Sequence, residues 1–533
     1  MTLPFPLLDA HLAITGKPLS PEVRSRLEAY AKFVETELEP VTYEVDRRAR
    51  PYLSHHDTLG GDPEEVVLNA AHRAALGKIY QTGISTGPAE GRHPWWETFA
   101  LGFLTTDVGC FCSATVTMAT VFSLVKYGTE ELKAKFLPAL LENGAARQGA
   151  TWATEAQGGS DLGSNRARAT PTGEGGRFLL NGEKYFCSNV GAEFAVVTAR
   201  PEGAPEGPKG LRLYFVAAKR EKGGPNWKIR RLKEKLGTTS VPTGEVSLID
   251  TEGYQLGTDQ EGLYPTMEML NVSRVCNAMG SAGVLYRALE VAMEHTRARE
   301  AFGKPLIDHP LMAVDLARLA TEAETAGLLA FEPAFAFDAV WKDRPARTPG
   351  FLLFRYATHA AKLVTADQAV RGACATMEIF GGPGYLEEFP VAKLVRDALV
   401  VPVWEGGANR QSLDAWEVSV RAHPENAWLE QAAKVRDRAD LPEGVQGFLE
   451  RRLQAAQDPV GGELAARSKL QAISELRQMT LLARLAEGSG SGGRSSPEAQ
   501  RARAFAEIFA VMRDGGPGSI VPMVMVANLL SAI

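Results

Sequence analysis

The chain has 533 residues, 45% of them hydrophobic and 23% charged, an ordinary globular composition with room for more than one hydrophobic core. Its formal net charge of −6 excludes a general electrostatic attraction for nucleic acid or anionic membranes, so any such binding would need a local basic patch. The five cysteines are odd in number and scattered, unlike a secreted disulfide scaffold, and a reducing cytoplasm fits them best.

Neither a membrane anchor nor a metal site is expected from the sequence. Residues 1–13 lack the pattern of a secretory signal, and no stretch reads as long enough to span a bilayer. The most apolar piece, 520–533, is interrupted by Pro522 and falls short of the ~20 residues that a spanning helix needs. Cys110 and Cys112 lack nearby Cys or His partners, so they are interpreted as buried apolar residues.

Helix signals dominate the first part of the chain, 1–148. Ser20 followed by Pro21 is a typical helix start, and Thr129 opens another helical run. The segment 62–65 (Asp-Pro-Glu-Glu) repeats the start signal and predicts a helix that begins there and runs through Tyr80. We therefore expect an all-helical domain over 1–148.

Strand signals follow over 149–265. Residues 177–180 and 184–187 flank Asn181-Gly182, a pair that predicts a β-hairpin turn. Residues 211–217 and 245–249 are further strand candidates, so we expect a middle β-domain.

Long helical patterns return after residue 265. The runs 281–299, 310–326, 351–380 and 391–400 predict a helix bundle over 266–425. Helical segments at 446–457 and 464–485 predict an appended helical domain over 426–533, in which the Gly/Ser-rich stretch 487–496 is a loop. No glycine cluster follows a strand as a Rossmann fingerprint should, so a nucleotide cofactor would be held differently.

Several motifs, in this order, resemble the acyl-CoA dehydrogenase family from about residue 20 to residue 419. They are the segments 128–138, 152–155 (Trp-Ala-Thr-Glu), 158–161 (Gly-Gly-Ser-Asp), 181–189, 299–306, 378–382 (Glu-Ile-Phe-Gly-Gly), 385–397 and 404–406 (Trp-Glu-Gly). The versions at 157–161 and 404–406, with the extra C-terminal section, are most similar to the alkylation-response, or AidB-like, branch. The implied fold class is α+β: an N-terminal helical domain, a middle β-barrel domain, a C-terminal four-helix bundle and the appended helical section.

The resemblance implies FAD as cofactor and an acyl-CoA thioester as substrate. Glu405 would be the base that takes the α-proton, with residues 402–404 as its apolar setting. Ser160 and Arg274 would contact substrate. The implied cofactor-binding residues are Ala153, Thr154, Ser160, Phe186, Ser188, Arg299, Phe302, Leu306, His309, Glu378, Gly381, Gly382, Gly407 and Asn409. Gly407 stands where many family members have threonine, and Asn409 replaces a more usual Gln or Glu.

Each residue type also has a structural interpretation. Glu405 could interact with a helix N-terminus, and Ser160 could cap a turn with Asp161. Arg299 and Arg274 could be surface arginines, whereas in the functional interpretation the Arg299 guanidinium suits phosphate. Paired glycines at 381 and 382 often mark only a turn, although they also allow a close approach of backbone to cofactor.

Three functions compete at this stage, and Glu405 argues against one of them, a flavin oxidase, because nitroalkane oxidases resemble the family but have aspartate at the base position. The first is an acyl-CoA dehydrogenase that assembles as a homotetramer and passes electrons to an electron-transfer flavoprotein or similar acceptor. The second is a flavin-containing, DNA-associated stress protein with little dehydrogenase activity. Residues 421–533 hold fourteen Lys/Arg and thirteen Asp/Glu, so only weak DNA binding is expected. A DNA-binding face would need residues such as Arg451, Arg452, Arg501 and Arg503 to gather in three dimensions.

Overall fold

The computed structural model describes residues 8–9, 11–12, 15, 19–55, 64–142, 147–173, 176–457, 462–488, 493–514, 521 and 523–532. The chain forms two compact units, one of residues 36–276 and one that joins 1–35 to 277–533. We describe the two units separately as the helical-β unit (36–276) and the bundle unit (1–35 and 277–533).

Helices occur along the whole described chain, and strands concentrate between residues 151 and 256. The helices are α1 (Pro21–Phe33), α2 (Glu39–Arg47), α3 (Ala70–Gln81), α4 (Gly87–Glu90), α5 (Trp95–Leu104), α6 (Val108–Tyr127), α7 (Glu130–Leu141), α8 (Tyr264–Ala298), α9 (Pro310–Val340), α10 (Pro349–Phe380), α11 (Pro390–Ala398), α12 (Ala408–Ala422), α13 (Asn426–Arg436), α14 (Glu443–Gln457), α15 (Ala466–Leu485), α16 (Pro497–Asp514) and α17 (Met523–Ala532). The strands are β1 (Tyr52–Ser54), β2 (Glu65–Val67), β3 (Thr151–Trp152), β4 (Arg168–Pro171), β5 (Arg177–Ser188), β6 (Phe194–Pro201), β7 (Arg212–Ala217), β8 (Lys228–Leu232), β9 (Thr243–Leu256), β10 (Glu300–Ala301) and β11 (Lys304–Pro305).

Side-chain caps explain where several helices begin. The Ser20 hydroxyl accepts a hydrogen bond from Val23 N at the start of α1, and the Thr129 hydroxyl accepts one from Leu132 N at the start of α7, as predicted. The predicted start at 62–65 is wrong. Residues 65–67 form β2, which pairs with β1, and α3 begins only after Asn69, whose side chain accepts from His72 N. Residues 62 and 63 lie outside the described residues.

Helix α6 corrects the expectation that no stretch is long enough to span a bilayer. Among the described helices, this one has the length and apolar composition for a span. Its twenty residues are mostly buried inside the helical-β unit, because α6 is the central helix of that unit. A buried core helix and a membrane span have the same composition, and here the burial favours the core helix.

The middle strands form one sheet that closes on itself. The order is β3-β6-β4-β5-β9-β7, β7 returns to pair with β6, and β8 pairs with β9. Its interior holds buried residues including Trp152, Leu180, Val197, Tyr214 and Val246. The closed sheet agrees with the expected β-barrel, since closure leaves few strand edges unpaired.

The predicted hairpin at Asn181-Gly182 is wrong. β5 runs without a turn from Arg177 to Ser188, and its pairing with β9 shifts register between Leu180 and Gly182, which marks a β-bulge. Gly182 has φ +148°, and a Cβ there would lie 2.8 Å from Ala167 Cα. The glycine is therefore needed for a bend and a close approach of backbone within a long strand.

Three long helices form the centre of the bundle unit. The Tyr286 hydroxyl of α8 donates to Glu324 of α9 (2.7 Å), and the Thr376 hydroxyl of α10 donates to the α8 carbonyl of Ala288 (3.2 Å). A Cβ at Gly372 would lie 2.1 Å from a Leu285 methyl carbon, so α10 and α8 approach closely. These contacts fix the helix ends and loops that carry the candidate site residues.

The section 426–533 packs on α9 through arginine–glutamate pairs. Arg513 donates two hydrogen bonds to Glu322 (2.7 and 2.8 Å), and Arg501 donates to Glu324 (2.7 Å). Arg477 contacts Glu332 of the same helix. Within the predicted loop 487–496, residues 489–492 lie outside the described residues, and Gly493–Ser495 form a 3-10 turn.

Candidate functional site

In the helical-β unit, the two predicted flavin-contacting segments lie side by side. Tyr185 N donates to the Thr154 carbonyl (3.0 Å), and the indole N–H of Trp152 donates to the Ser188 carbonyl (3.3 Å). Ala153, Thr154, Phe186 and Ser188 are thereby brought together as a surface that we call the β-face. Phe186 is 57% exposed, which is unusual for a phenylalanine on a strand.

A buried ion pair supports the β-face from below. The ammonium of Lys184 donates to Glu155 (2.8 Å), and both side chains are almost fully buried. Lys184 and Asn165 also donate to the Ala153 carbonyl, at 3.4 and 2.7 Å. Burial alone would raise the pKa of Glu155, but the charge and hydrogen bond of Lys184, aided by the backbone N–H of Arg166, lower it. Burial lowers the pKa of Lys184.

Lys233, which no sequence motif indicated, lies beside the β-face. Its ammonium is 3.3 Å from the ring centroid of Tyr185 and 5.0 Å from that of Phe186, and it donates to Glu245 (2.8 Å). Lys233 places a cation against the aromatic pair. Nothing in the local sequence around this lysine indicated that its side chain would contact the aromatic rings of a strand.

Ser160 and Arg274 have different surroundings. Ser160 is exposed in the loop that follows the bridge between Glu155 and Gly158, where a contact with a ligand is sterically open. Arg274 is buried on α8, and its guanidinium donates to Asn271 (3.1 Å). The interpretation of Arg274 as an ordinary surface arginine is therefore wrong, since burying a guanidinium is costly without specific partners.

In the bundle unit, a short hairpin carries the predicted arginine motif. β10 and β11 pair around Phe302 and Gly303, both of which have positive φ, as a tight two-residue turn requires. The turn presents Phe302 with 97% of its surface exposed, and Arg299 is exposed just before β10. His309 Nε2 lies 2.9 Å from the Ala301 carbonyl, so the histidine ties the hairpin to the start of α9.

The glycine motif lies at the same end of the bundle. The imidazole of His295, one turn before Arg299, stacks on Phe380 with ring centroids 4.0 Å apart. Phe380 is followed by Gly381, which has φ +67° and donates to the Glu378 carbonyl (3.0 Å). A Cβ at either Gly381 or Gly382 would meet no atom within 4 Å, so neither glycine is required by the packing described. Arg299, Phe302, Leu306, His309, Glu378, Gly381 and Gly382 are thus grouped, and we call them the bundle-end site.

The candidate base Glu405 lies in the segment that precedes α12. It is half-buried and has φ +55°, a left-handed conformation that costs a non-glycine residue about 1–2 kcal/mol. Its carbonyl accepts a hydrogen bond from the Gln411 side chain (2.9 Å). Strain of this kind at a carboxylate is more typical of a functional position than of a helix cap.

The predicted site residues that follow Glu405 have the ordinary geometry of a helix start. Gly407 is the residue before α12, with φ −66°, and does not need the conformational freedom of glycine. Asn409 is exposed in the first turn. Val403, one of the apolar residues expected to surround Glu405, is 67% exposed. It is therefore not buried beside Glu405 within the bundle unit.

The described residues fit FAD by three observations. An exposed aromatic ring lies beside polar backbone and hydroxyl groups on the β-face, the bundle-end site has an exposed arginine and two unobstructed glycines, and a carboxylate lies on a strained loop. No group of three or more His, Cys, Asp or Glu side chains in the described part of the chain could hold a metal ion.

Two sequence profiles that match this chain belong to the same protein family. The sequence profile of the acyl-CoA dehydrogenase middle domain matches residues 150–251, and that of the acyl-CoA dehydrogenase C-terminal domain matches residues 260–416. The first of these ranges contains the β-face, and the second contains the bundle-end site and Glu405.

Among curated relatives, acyl-CoA dehydrogenase family member 11 of Caenorhabditis elegans is 30% identical over 400 residues, which is 71% of this chain and 65% of that protein. Escherichia coli AidB is 36% identical over 266 residues, 50% of this chain and 47% of AidB. The match therefore spans less than two thirds of these two relatives. The acyl-CoA dehydrogenase of Bacillus subtilis is 31% identical over 293 residues, 54% of this chain and 72% of that enzyme.

A solved structure extends the likeness over the appended section. The structure of C. elegans ACDH-11 in complex with C11-CoA superposes with a TM-score of 0.82 at 24% identity and covers 98% of this chain and 92% of that chain. The predicted α+β fold class is confirmed, and the identity with AidB agrees with the resemblance to the alkylation-response branch. On the profiles and on the B. subtilis enzyme, the chain belongs to the acyl-CoA dehydrogenase family.

Proposed function

We propose that this protein is an FAD-dependent dehydrogenase that introduces a double bond between the α and β carbons of an acyl-CoA thioester. The observation that carries the proposal is the half-buried carboxylate of Glu405 on a loop with φ +55°. A carboxylate is suited to remove the weakly acidic α-proton, and a fixed loop holds it in one orientation toward substrate.

The residues of the β-face and the bundle-end site would hold the cofactor. On the β-face, Thr154 and Ser188 supply hydrogen-bonding groups and Phe186 supplies an aromatic surface. At the bundle-end site, the exposed Arg299 offers paired donors for phosphate. FAD held there would supply the acceptor for the hydride that leaves the β carbon, and Glu405 would take the α-proton.

Family membership supports a proposal for the substrate class and the electron acceptor. The solved structure of C. elegans ACDH-11 holds C11-CoA, and we propose a fatty acyl-CoA of undefined chain length as the substrate class here. We propose an electron-transfer flavoprotein or a similar carrier as acceptor. Nitroalkane oxidases resemble the family but have aspartate at the base position, so Glu405 favours the dehydrogenase.

We also propose a homotetramer in the cytoplasm. Lys362 of α10 bonds the Glu405 loop, whereas Gly381 follows the end of the same helix. The two residues are nineteen positions apart, which corresponds to roughly 28 Å along α10. This separation supports an assembly in which the bundle-end site of one chain grips a cofactor used by the base of a neighbouring chain. Sedimentation of the FAD-bound protein tests the homotetramer, and a stable monomer of 57.5 kDa would contradict this assembly.

The test is reduction of the bound flavin by a panel of acyl-CoA thioesters. We expect the wild-type absorption band to bleach with at least one thioester, and we expect Glu405→Gln to keep FAD bound while losing at least 10³-fold in the rate of bleaching, because the amide cannot accept the proton. Glu430→Gln, an exposed glutamate of α13, is the matched control and should react like wild type. Unchanged bleaching in Glu405→Gln would show that another base acts.

A further inference from the structure

We infer that Lys362 and Gln411 are positioning residues for Glu405: together they hold, from two helices, the backbone loop that carries the base. This inference rests on the proposed function. No motif in the sequence pointed to either residue, and both act through backbone carbonyls rather than through substrate.

Lys362 joins the two ends of the loop. Its ammonium donates to the carbonyl of Pro402 (2.9 Å) and to the carbonyl of Gly406 (2.8 Å), three residues before and one residue after Glu405. The Lys362 side chain is 1% exposed on α10. A buried ammonium is costly unless its hydrogen bonds are satisfied, and charge-assisted bonds to carbonyls are stronger than neutral ones.

Gln411 holds the same loop from α12. Its side-chain N–H group donates to the carbonyls of Glu405 and Gly406, each at 2.9 Å, and the residue is fully buried. Its side-chain oxygen lies 2.8 Å from Nδ1 of His359, one turn before Lys362 on α10. The neutral or charged imidazole donates to that oxygen from Nδ1, which fixes the amide so that its N–H group faces the loop.

The loop needs this support because its conformation is not locally favoured. Glu405 has φ +55° and Gly406 has φ +97°, and only the glycine adopts such values without strain. Strained residues persist where the surroundings determine them strongly. Four hydrogen bonds from two buried side chains converge on three carbonyls of this loop, and they fix the backbone from which the Glu405 side chain projects.

The experiment compares Lys362→Met and Gln411→Leu with Gln368→Leu in the FAD-bound protein. Gln368 is a matched control because it is a buried amide of α10 that bonds Glu322 and Thr325 instead of the loop. We expect both loop variants to reduce the flavin about 10- to 100-fold more slowly at saturating thioester, with thioester affinity changed less than about threefold, since small displacements of a base cost rate rather than binding. The control should react at the wild-type rate.

A double variant separates positioning from general damage. Combined with Glu405→Gln, Lys362→Met should slow the residual bleaching by less than about twofold, because residues that act as a unit are strongly non-additive. A further 10-fold or greater loss in the double variant would overturn the inference. So would wild-type rates in both Lys362→Met and Gln411→Leu.

A measurement without turnover distinguishes the inference from the proposed function. Hydrogen exchange of the amides of residues 403–407 should be faster in Lys362→Met and Gln411→Leu than in wild type and in Gln368→Leu. Unchanged protection would refute the positioning role even if the enzyme is active. Wild-type flavin that no thioester bleaches would refute the proposed function, and the positioning of a catalytic base with it, whatever the exchange data show.

Discussion

At the scale of single residues, the buried pair of Glu155 and Lys184 links packing to the candidate flavin surface. Glu155 also accepts backbone hydrogen bonds from Arg166 (2.6 Å) and Ala167 (3.1 Å), so its carboxylate is fully engaged. Lys184 of β5 also donates to the Ala153 carbonyl and to the Thr198 hydroxyl of β6. The pair therefore determines where the segment around Ala153 lies relative to the barrel.

Removing the lysine should be severe. We expect Lys184→Met to lower the free energy of unfolding by about 3–5 kcal/mol, because it leaves the Glu155 carboxylate buried without its counter-ion. The pKa of Glu155 is depressed in the folded state, so this pair stabilises above the ordinary carboxyl pKa and loses its effect as pH falls. The variant should consequently lose less stability than wild type on acidification.

Urea unfolding at pH 7 and at pH 4 measures both effects. Lys133→Met is the control, since Lys133 pairs with the exposed Glu130 on α7 and should cost less than about 1 kcal/mol. A loss for Lys184→Met no larger than that of the control would show that the buried pair contributes little net stability.

The role of an individual residue could be predicted from the sequence only where a motif indicated that role. Glu405 and Phe186 were predicted from motifs, and the structure places them on a strained loop and an exposed barrel surface. Lys233, Lys362 and Gln411 were missed because a lysine or glutamine has no local signature for the carbonyl or ring that it contacts. The ring and carbonyl partners of the two lysines lie 40 to 48 residues away along the chain, and Gln411 contacts His359, 52 residues away, so only folding brings these groups together.

At the scale of elements, local signals held where no strand pairing competed with them and failed where one did. Ser20 and Thr129 cap helices as predicted, because a cap depends on residues within one turn. The Asn181-Gly182 pair failed because strand β9 continues alongside β5 through this point, and the long-range pairing overrides the local turn preference. The β1–β2 pairing overrode a local helix signal in the same way.

Helix α9 shows how the appended section is attached. Glu322 and Glu324 are buried and Glu332 is half-buried, and the appended section supplies each of them with an arginine partner: Arg513, Arg501 and Arg477. Burial would raise the pKa of Glu322, but Arg513, with Arg371 and Gln368, lowers it to about 2. The section 426–533 thus adds positive charge next to three carboxylates of α9.

We expect Arg513→Met to destabilise the protein by about 3 kcal/mol at pH 7. The depressed pKa of Glu322 means that its contribution is present above about pH 4.5 and disappears as pH falls towards 2, so the difference between variant and wild type should shrink in acid. Arg371→Met is the control: its guanidinium contacts the same carboxylate but is half exposed, and should cost about 1 kcal/mol or less. Chemical unfolding at pH 7 and pH 3 measures both, and equal losses for the two variants would contradict the assignment.

At the scale of the whole molecule, the distribution of charge bears on the alternative function. The section 421–533 holds fourteen Lys/Arg and thirteen Asp/Glu, and the chain carries a net charge of −6. The arginines that could have formed a DNA-binding face are largely used within the bundle unit. Arg451 contacts Asp514, Arg452 donates to Glu475 (2.8 Å), and Arg501 donates to Glu324 (2.7 Å).

We therefore predict weak binding to DNA. Non-specific affinity comes from phosphate neutralisation, and a guanidinium already paired with a carboxylate gains little by exchanging partners. We expect a shift assay on duplex DNA to give a Kd no tighter than about 10⁻⁶ M at 150 mM salt, with any complex seen at 50 mM lost over this interval. Lys78→Ala, on a helix of the other unit, is the control for general charge. Tight binding that persists at 150 mM salt and weakens when Arg451 and Arg452 both become Ala, but not in the control, would favour a DNA-associated stress protein over the dehydrogenase.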